Sequence, residues 1–218
     1  MKPAETQLVI DRYNKRLSQF GHDPRTLGWT KRKEDLRFHV LLSHWNLRDS
    51  TILDFGCGFG DMSKYCEKVD STIRYAGVDI NAQLIAEGKK CFPGADLLSL
   101  NAFEEGLPGQ YDYIFSSGVH NFKLEDNWRF IRETFALFDK HAKKGFALNF
   151  LSNRVEYALI DTYHADPVRI VALAYSYSNR VTLRNDYMPF EFTVFIDKET
   201  GFDKNYTVYP DFMRFVTP

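Results

Sequence analysis

From residue 51 onward the chain alternates short β-rich runs with helical stretches, and few folds accommodate that order. The β-rich runs are "TILDF", "IRYAGVDI", "ADLLSL", "YDYIFSSGV" and "GFALNFL". In the intervals between them, apolar residues at helical spacing predict helices over 61–69, 82–91 and 125–140. Parallel strands need a long crossover connection, usually a helix, so the alternation predicts βαβ units around a mostly parallel sheet.

The last third of the chain departs from this pattern. Asp166 and Pro167 have the residue types of a helix cap and first turn, which predicts a helix to about residue 177. The segments "RVTLRNDY" and "FEFTVFID" then follow with too few residues between them for a crossover helix. Strands joined so tightly pair antiparallel, so we expect a hairpin near the end of the chain.

The N-terminal region is predicted to be helical. Amphipathic patterns extend over about 4–20 and 31–47. No linker or repeat separates these helices from the sheet. We therefore expect one compact α/β unit, with a helical lid (residues 1–49) on a sheet domain (residues 50–218).

Composition narrows the function classes. The net charge of -1 argues against a dedicated nucleic-acid binder, which usually carries a strongly basic surface. Residues 1–50 have ten Lys/Arg against six Asp/Glu, which indicates either a solvated helix face or attraction of an anionic substrate. Three cysteines without CxxC spacing argue against a zinc site and a disulfide framework. No apolar run is long enough to span a membrane, so we expect a soluble cytoplasmic protein.

The segment "LDFGCGFGD" (53–61) is a glycine-rich turn directly after the first predicted strand. Such a turn lets the backbone approach a ligand closely. Its GxGxG spacing differs from the GxGxxG of dinucleotide sites, and no Lys-Ser/Thr pair follows as in a phosphate-binding P-loop. Asp79 ends the next strand, where a carboxylate can accept ribose hydroxyls or cap the helix that starts near Asn81.

In the order "LDFGCGFG", "GVDIN", "LNAFEE" and "YDYIFSSGVHN", the chain resembles the class I S-adenosylmethionine-dependent methyltransferases over residues 50–197. That family has a Rossmann-like, seven-stranded sheet that ends in an antiparallel hairpin. The resemblance implies S-adenosylmethionine as cofactor and S-adenosylhomocysteine as product. "SSGVHN" lacks the Asn/Asp-Pro-Pro-aromatic motif of the branch that methylates nucleic-acid bases, which argues against nucleic-acid substrates.

The resemblance also implies which residues hold the cofactor. Asp54 would order the glycine turn, Asp79 would bind the ribose hydroxyls, and Ile80 would lie against the adenine. Ala102 would offer its backbone N–H to the adenine, and Asn101 falls where many relatives have an acidic residue facing the adenine amino group. The remaining implied positions are those of the turn, the adenine flank and the sulfonium end: Gly56, Cys57, Gly58, Gly60, Phe103, Ser116 and Ser117. Cys57 is most simply a small filler in the turn, and Phe103 could equally be an ordinary core residue.

The N-terminal segment looks like a helical lid found in one bacterial subgroup of the family. Tyr13, Arg16, Gly28-Trp29 and Arg37 are placed to close over the cofactor. For Trp29 the alternative is that it only packs the lid onto the sheet.

Two histidines are candidate general bases, although methyl transfer needs a base only for some acceptors. His120 follows the fourth strand at the carboxyl edge of the sheet, where open α/β sheets bind ligands, and the alternative is that it only shapes the site or caps a helix. His164, with Tyr157 and Tyr163, lies after the fifth strand in a region that commonly shapes the acceptor site of relatives.

These observations together predict a methyltransferase that acts on a small molecule. A hydroxyl is one candidate for the group that accepts the methyl. The alternative from another class is a cofactor-binding sensor or partner subunit without activity. A nucleotide-dependent oxidoreductase is disfavoured by the GxGxG spacing and the terminal hairpin.

Overall fold

The computed structural model describes residues 2–29, 33–157 and 159–199, and it contains the predicted sheet. Residues 31–32 of the second predicted helix and 200–218 of the predicted sheet domain lie outside the described residues. The strands are β1 (Thr51–Phe55), β2 (Arg74–Asp79), β3 (Asp96–Ser99), β4 (Tyr111–Ser116), β5 (Ala142–Leu151), β6 (Val181–Arg184) and β7 (Glu191–Asp197). They form one sheet in the order β3-β2-β1-β4-β5-β7-β6.

The pairing confirms the expected mixed sheet. Strands β1 to β5 pair in parallel, and β7 pairs antiparallel with both β5 and β6. Leu151 at the end of β5 lies opposite Glu191 at the start of β7. Since β7 runs in the opposite direction, its first residue lies at the same edge as the carboxyl ends of β1 to β5.

Several helices begin at a side chain that caps them. The helices are α1 (Pro3–Phe20), α2 (Lys33–Leu42), α3 (Asp61–Val69), α4 (Ala82–Cys91), α5 (Ala102–Glu105), α6 (Asn127–His141) and α7 (Pro167–Ala174). Asn81 caps α4 by accepting hydrogen bonds from the N–H groups of Gln83 and Leu84, and Asp166 caps α7 through Val168 N–H. Asp79 belongs to β2, so the cap role considered for it falls to Asn81.

Each face of the sheet has its own apolar core. On one face, α6 and α7 pack through Phe135, Phe138 and Ile170. On the other face, α2 and α3 pack through Leu41 and Met62. Alternate residues of the central strands contribute to the two cores, which leaves the carboxyl edge free to bind ligands.

The two N-terminal helices differ in burial. Helix α2 buries Val40, Leu41 and Leu42, whereas α1 has no buried residue. Helix α2 ends five residues earlier than the pattern predicted, and Trp45 lies beyond it with its Nε1 donating to Asp197 Oδ1 at 2.6 Å. No helix in the described part of the chain has the length and apolar character to cross a membrane.

Candidate functional site

The glycine turn after β1 has a backbone conformation that few residues other than glycine adopt. Gly56, Gly58 and Gly60 have φ angles of 74°, 58° and 86°. A Cβ at Gly56 would overlap the Val119 side chain, and one at Gly60 would lie 2.7 Å from Leu97 Cδ2. The spacing seen in the sequence therefore reflects both the positive φ angles and close packing.

Asp79 at the end of β2 fixes this turn. Its Oδ2 accepts a hydrogen bond from Gly58 N–H at 2.9 Å, and its Oδ1 accepts one from Asn81 N–H at 2.8 Å. Burial raises the pKa of Asp79 to about 6, although both hydrogen bonds oppose that rise. A carboxylate can accept about four hydrogen bonds, so about two positions remain for hydroxyl donors of a ligand.

Asp54 is hydrogen-bonded to a side chain of β2. It is buried, and its Oδ2 accepts a hydrogen bond from the Tyr75 hydroxyl at 2.9 Å. The N–H groups of Gly56 and Cys57 donate instead to the Val78 carbonyl. Asp79 and β2 therefore order the turn, and burial raises the pKa of Asp54 to about 7.

A cavity of about 430 Å³ lies at the carboxyl edge of the sheet, a size suited to a small-molecule ligand. We divide it into two halves. The cofactor half lies at the ends of β1, β2 and β3 and includes Asp54, Gly56, Gly58, Asp79, Ile80, Ala102 and Phe103. The acceptor half lies at the ends of β4, β5 and β7 and includes Phe122, Leu151, Tyr157, Leu159, Thr162, His164 and Phe190.

Helix α1 spans the cavity, and hydrogen bonds on both sides of the cavity hold it in place. Asn81 Nδ2 donates to Asn14 Oδ1 at 2.9 Å, on the cofactor side. At the other end, Glu125 N–H donates to Glu5 Oε1 at 2.8 Å. Tyr13 and Arg16 on this helix line the cavity, and the pKa of Tyr13 is raised by burial and by the charge of Asp79.

Trp29 connects the lid to the end of β4. A Cβ added to Gly118, which has a φ of 79°, would lie 2.7 Å from Trp29 Cη2. The guanidinium carbon of Arg37 lies 3.8 Å from the centre of the Trp29 ring. Trp29 therefore both lines the cavity and packs the lid onto the sheet.

The sequence of this chain is similar to those of known methyltransferases. A family profile described as a methyltransferase domain matches residues 53–144. A Mycobacterium tuberculosis protein named "Putative methyltransferase Rv1506c" is 27% identical over 158 residues, which are 68% of this chain and 93% of that protein. Residues 53–144 are a methyltransferase domain of the class I S-adenosylmethionine-dependent type.

Solved structures are similar to this methyltransferase in fold. Magnesium protoporphyrin IX methyltransferase from Synechocystis PCC 6803, with bound SAH, aligns over 88% of this chain and 98% of its own, at 15% identity and a TM-score of 0.64. A TehB-like SAM-dependent methyltransferase from Corynebacterium glutamicum aligns over 89% and 98%, at 20% identity and a TM-score of 0.55. The cofactor of the methyltransferase domain is S-adenosylmethionine.

In this methyltransferase most of the expected cofactor residues line the cavity. They are Asp54, Gly56, Cys57, Gly58, Asp79, Ile80, Ala102, Phe103, Ser117 and Trp29. Three others do not line it. Gly60 packs on Leu97, and Asn101 caps α5 by accepting a hydrogen bond from Phe103 N–H. Ser116 is fully buried in β4, one residue before Ser117, and neighbouring strand residues point to opposite sides.

His120 does not line the cavity, so the structure gives it no direct contact with a bound acceptor. It is 1% exposed and lies between the rings of Phe130 and Phe150, each at 5.1 Å between ring centres. Its Nε2 lies 3.2 Å from Thr134 Oγ1, and burial lowers the pKa of His120 to about 3. Its buried position fits the alternative interpretation, in which His120 only shapes the site.

His164 does line the acceptor half, together with Tyr157. Its Nδ1 lies 2.8 Å from the Ser152 carbonyl oxygen, which can only accept, so Nδ1 carries the proton. The basic lone pair of a neutral ring is then on Nε2, 3.1 Å from Thr162 Oγ1. Tyr163, mentioned with His164, is not among the lining residues.

The sequence reasoning missed two positions. Gly88 lies inside α4, where an added Cβ would overlap the carbonyl oxygen of Phe59 in the glycine turn. Its signal was a glycine within a helical pattern, which often marks close packing. Glu191 is buried at the start of β7 and pairs with Arg37; a charged residue within an otherwise apolar strand was its signal.

Proposed function

We propose that this methyltransferase binds S-adenosylmethionine in the cofactor half and methylates a hydroxyl of a small molecule in the acceptor half. The observation that supports this most strongly is one cavity that contains both the Asp79-ordered glycine turn and His164, whose Nδ1 is bound to a backbone carbonyl. When bound, S-adenosylmethionine supplies an activated methyl group on a sulfonium.

The cofactor half fits that ligand. Asp79 retains acceptor positions for the two ribose hydroxyls, with Ile80 and Phe103 as apolar surfaces for the adenine. Ser117 lines the cavity, and its buried hydroxyl has no hydrogen-bond partner among the described residues. A buried hydroxyl without a partner is costly, so a polar group of the ligand would stabilise it.

The acceptor half supplies a base and an apolar surface. The Ser152 carbonyl holds the His164 ring in the tautomer that leaves Nε2 free to accept the hydroxyl proton. Thr162 Oγ1 has a second partner in the Leu159 carbonyl, so it can leave Nε2 available. Phe122 and Leu159 give this half an apolar surface, and the protein's main task is to hold nucleophile and methyl group in line.

The lid supports a small acceptor. Helix α1 spans the cavity from Asn81 to Glu125, so a large substrate would have to displace it. The similar-fold Synechocystis enzyme bears the name of a small-molecule acceptor, magnesium protoporphyrin IX. We also propose a cytoplasmic location, because the buried cysteines Cys57 and Cys66 are unpaired, as is usual in a reducing compartment.

Replacing His164 by Gln tests the role of the base. Transfer of labelled methyl from S-adenosylmethionine into a low-molecular-weight metabolite extract should fall by about 10²–10⁴-fold, the usual contribution of a general base. The dissociation constant of S-adenosylhomocysteine should change by less than about twofold, because His164 lies outside the cofactor half.

His141→Gln is the matched control. His141 ends α6 and does not line the cavity, so its replacement should leave transfer unchanged. Unaltered transfer by the His164→Gln protein would remove His164 from the mechanism. Binding of S-adenosylhomocysteine without any transfer by the unaltered protein would favour the sensor or partner-subunit alternative.

A further inference from the structure

The acceptor half carries positive charge that no carboxylate of the described residues pairs with. Lys33 lines it with its Nζ 4.9 Å above the centre of the Phe190 ring, and the Arg12 guanidinium lies 5.2 Å from the centre of Phe122. Among the described residues, neither cation has a salt bridge. Asp161 also lines this half, but its side chain is exposed to solvent.

Arg37 has a buried donor that nothing in the described chain uses. Its side chain is 6% exposed, and Glu191 binds the guanidinium through Nε, at 2.8 Å, and through Nη2. The third nitrogen, Nη1, is buried and has no hydrogen-bond partner among the described residues. Leaving a buried charged donor unsatisfied is costly, so such a group is a candidate ligand contact.

Arg37 lies in the acceptor half of the cavity. Glu191 lies opposite Leu151 at the carboxyl edge of β5, and Phe190 precedes it. Asp79 ends β2, and β1, β4 and β5 lie between β2 and β7 in the sheet. Arg37 and Lys33 are therefore on the side of the cavity away from the residue expected to bind the ribose.

We propose that Arg37 Nη1 and Lys33 Nζ bind a carboxylate of the methyl acceptor. The guanidinium supplies directed N–H donors and the ammonium a second charge, which together suit an oxyanion. The apolar side chains around them, Phe122, Leu159 and Phe190, fit a ring-sized apolar body. This rests on the proposed function, and the bound carboxylate is a different group from the hydroxyl that receives the methyl.

Ligand binding to the protein saturated with S-adenosylhomocysteine tests this without requiring turnover. The probes are benzoate and 4-hydroxycinnamate, each compared with its own amide, by calorimetry. Each carboxylate should bind at least about tenfold more tightly than its amide, since a hydrogen bond to a charged group contributes roughly 1.5–3 kcal/mol.

Two variants locate the binding site. Lys33→Met removes the exposed cation, and Arg37→Lys keeps a cation for Glu191 but removes the Nη1 donors. Each should weaken carboxylate binding about fivefold or more and leave the affinity for S-adenosylhomocysteine within twofold. Lys15→Met is the matched control, since Lys15 is exposed on α1 and does not line the cavity.

Three results would overturn the proposal. One is equal binding of carboxylates and amides, and another is no binding of either carboxylate. The third is a loss of S-adenosylhomocysteine affinity in the two variants, which would assign these cations to the cofactor carboxylate. A carboxylate preference without methyl transfer would leave this proposal standing and contradict the proposed function alone.

Discussion

Asp79 holds the glycine turn, and we propose that the same side chain binds the cofactor ribose. It holds the glycine turn through Gly58 N–H and remains able to accept ligand hydroxyls. Burial raises its pKa to about 6, so its charge changes within the range in which the protein can be studied. Asp54, whose pKa burial raises to about 7, also titrates there but binds Tyr75 instead of the turn.

Cofactor affinity should therefore fall in mild acid. If only ionised Asp79 accepts both ribose hydroxyls, the dissociation constant of S-adenosylhomocysteine rises about tenfold between pH 7.5 and pH 5. The sign follows from the raised pKa, because protonation below about pH 6 removes acceptor capacity. Calorimetric titrations at a series of pH values measure this directly.

Two variants separate the carboxylates. Asp79→Asn should bind S-adenosylhomocysteine more weakly at pH 7.5 and lose the pH dependence. In Asp54→Asn, the affinity for S-adenosylhomocysteine should still depend on pH, with a midpoint near pH 6. A full pH dependence in the Asp79→Asn protein would show that another group is responsible.

The two histidines show why single side chains were harder to predict than the turn. The glycine spacing reflects the backbone conformation of the turn, which local sequence specifies. Asp79 ends the next strand and binds this turn. His120 lies in the short 3-10 turn Val119–Asn121, whose other two residues line the cavity while His120 points into the core. The direction of one side chain in such a turn depends on tertiary packing, in this case against Phe130 on α6 and Phe150 on β5.

Among the elements, α4 is packed unusually close to the glycine turn. Gly88 faces the carbonyl oxygen of Phe59, and an added Cβ would overlap this backbone atom. The turn is fixed in place, because its N–H groups are hydrogen-bonded to the Val78 carbonyl and to Asp79 on β2. Helix α4 would have to move instead.

Gly88→Ala should consequently destabilise the protein. Alanine favours a helix over glycine by about 1 kcal/mol, but forcing extra volume into a packed site typically costs about 1–3 kcal/mol. Because the overlap is with backbone, we expect a net loss of about 1–2 kcal/mol in the free energy of unfolding, measured by urea denaturation.

Gly94→Ala is the control, since an added Cβ there meets nothing within 4 Å. Its free energy of unfolding should change by less than about 0.5 kcal/mol. Equal or greater stability of Gly88→Ala than of the unaltered protein would contradict the packing argument.

Most elements were predictable because they follow from local periodicity. The βαβ alternation indicates the parallel strands, and the short connection indicates the antiparallel pairing of β6 with β7. The order of the strands depends on tertiary pairing, which local periodicity does not specify. The second helix was predicted too long because Trp45 continues the apolar spacing, yet it packs on Tyr113 from outside the helix. The pairing of Arg37 with Glu191 joins residues 154 positions apart, which no local pattern specifies.

For the chain as a whole, the uneven charge of the sequence is explained by the site. Four of the ten basic residues in the first fifty line the cavity: Arg12, Arg16, Lys33 and Arg37. Three carboxylates, those of Asp54, Asp61 and Asp79, line the cofactor half. The basic excess is thus not only a solvated helix face, and the lid and sheet domain offer complementary charge to a ligand between them.

We expect this cavity to bind S-adenosylmethionine rather than a pyrophosphate nucleotide. Parallel calorimetric titrations with S-adenosylhomocysteine and NAD⁺ test it most directly. We predict one saturable S-adenosylhomocysteine site per chain, weakened in Asp79→Asn, and no competing NAD⁺ binding. Saturable binding of NAD⁺ with none of S-adenosylhomocysteine would contradict the account.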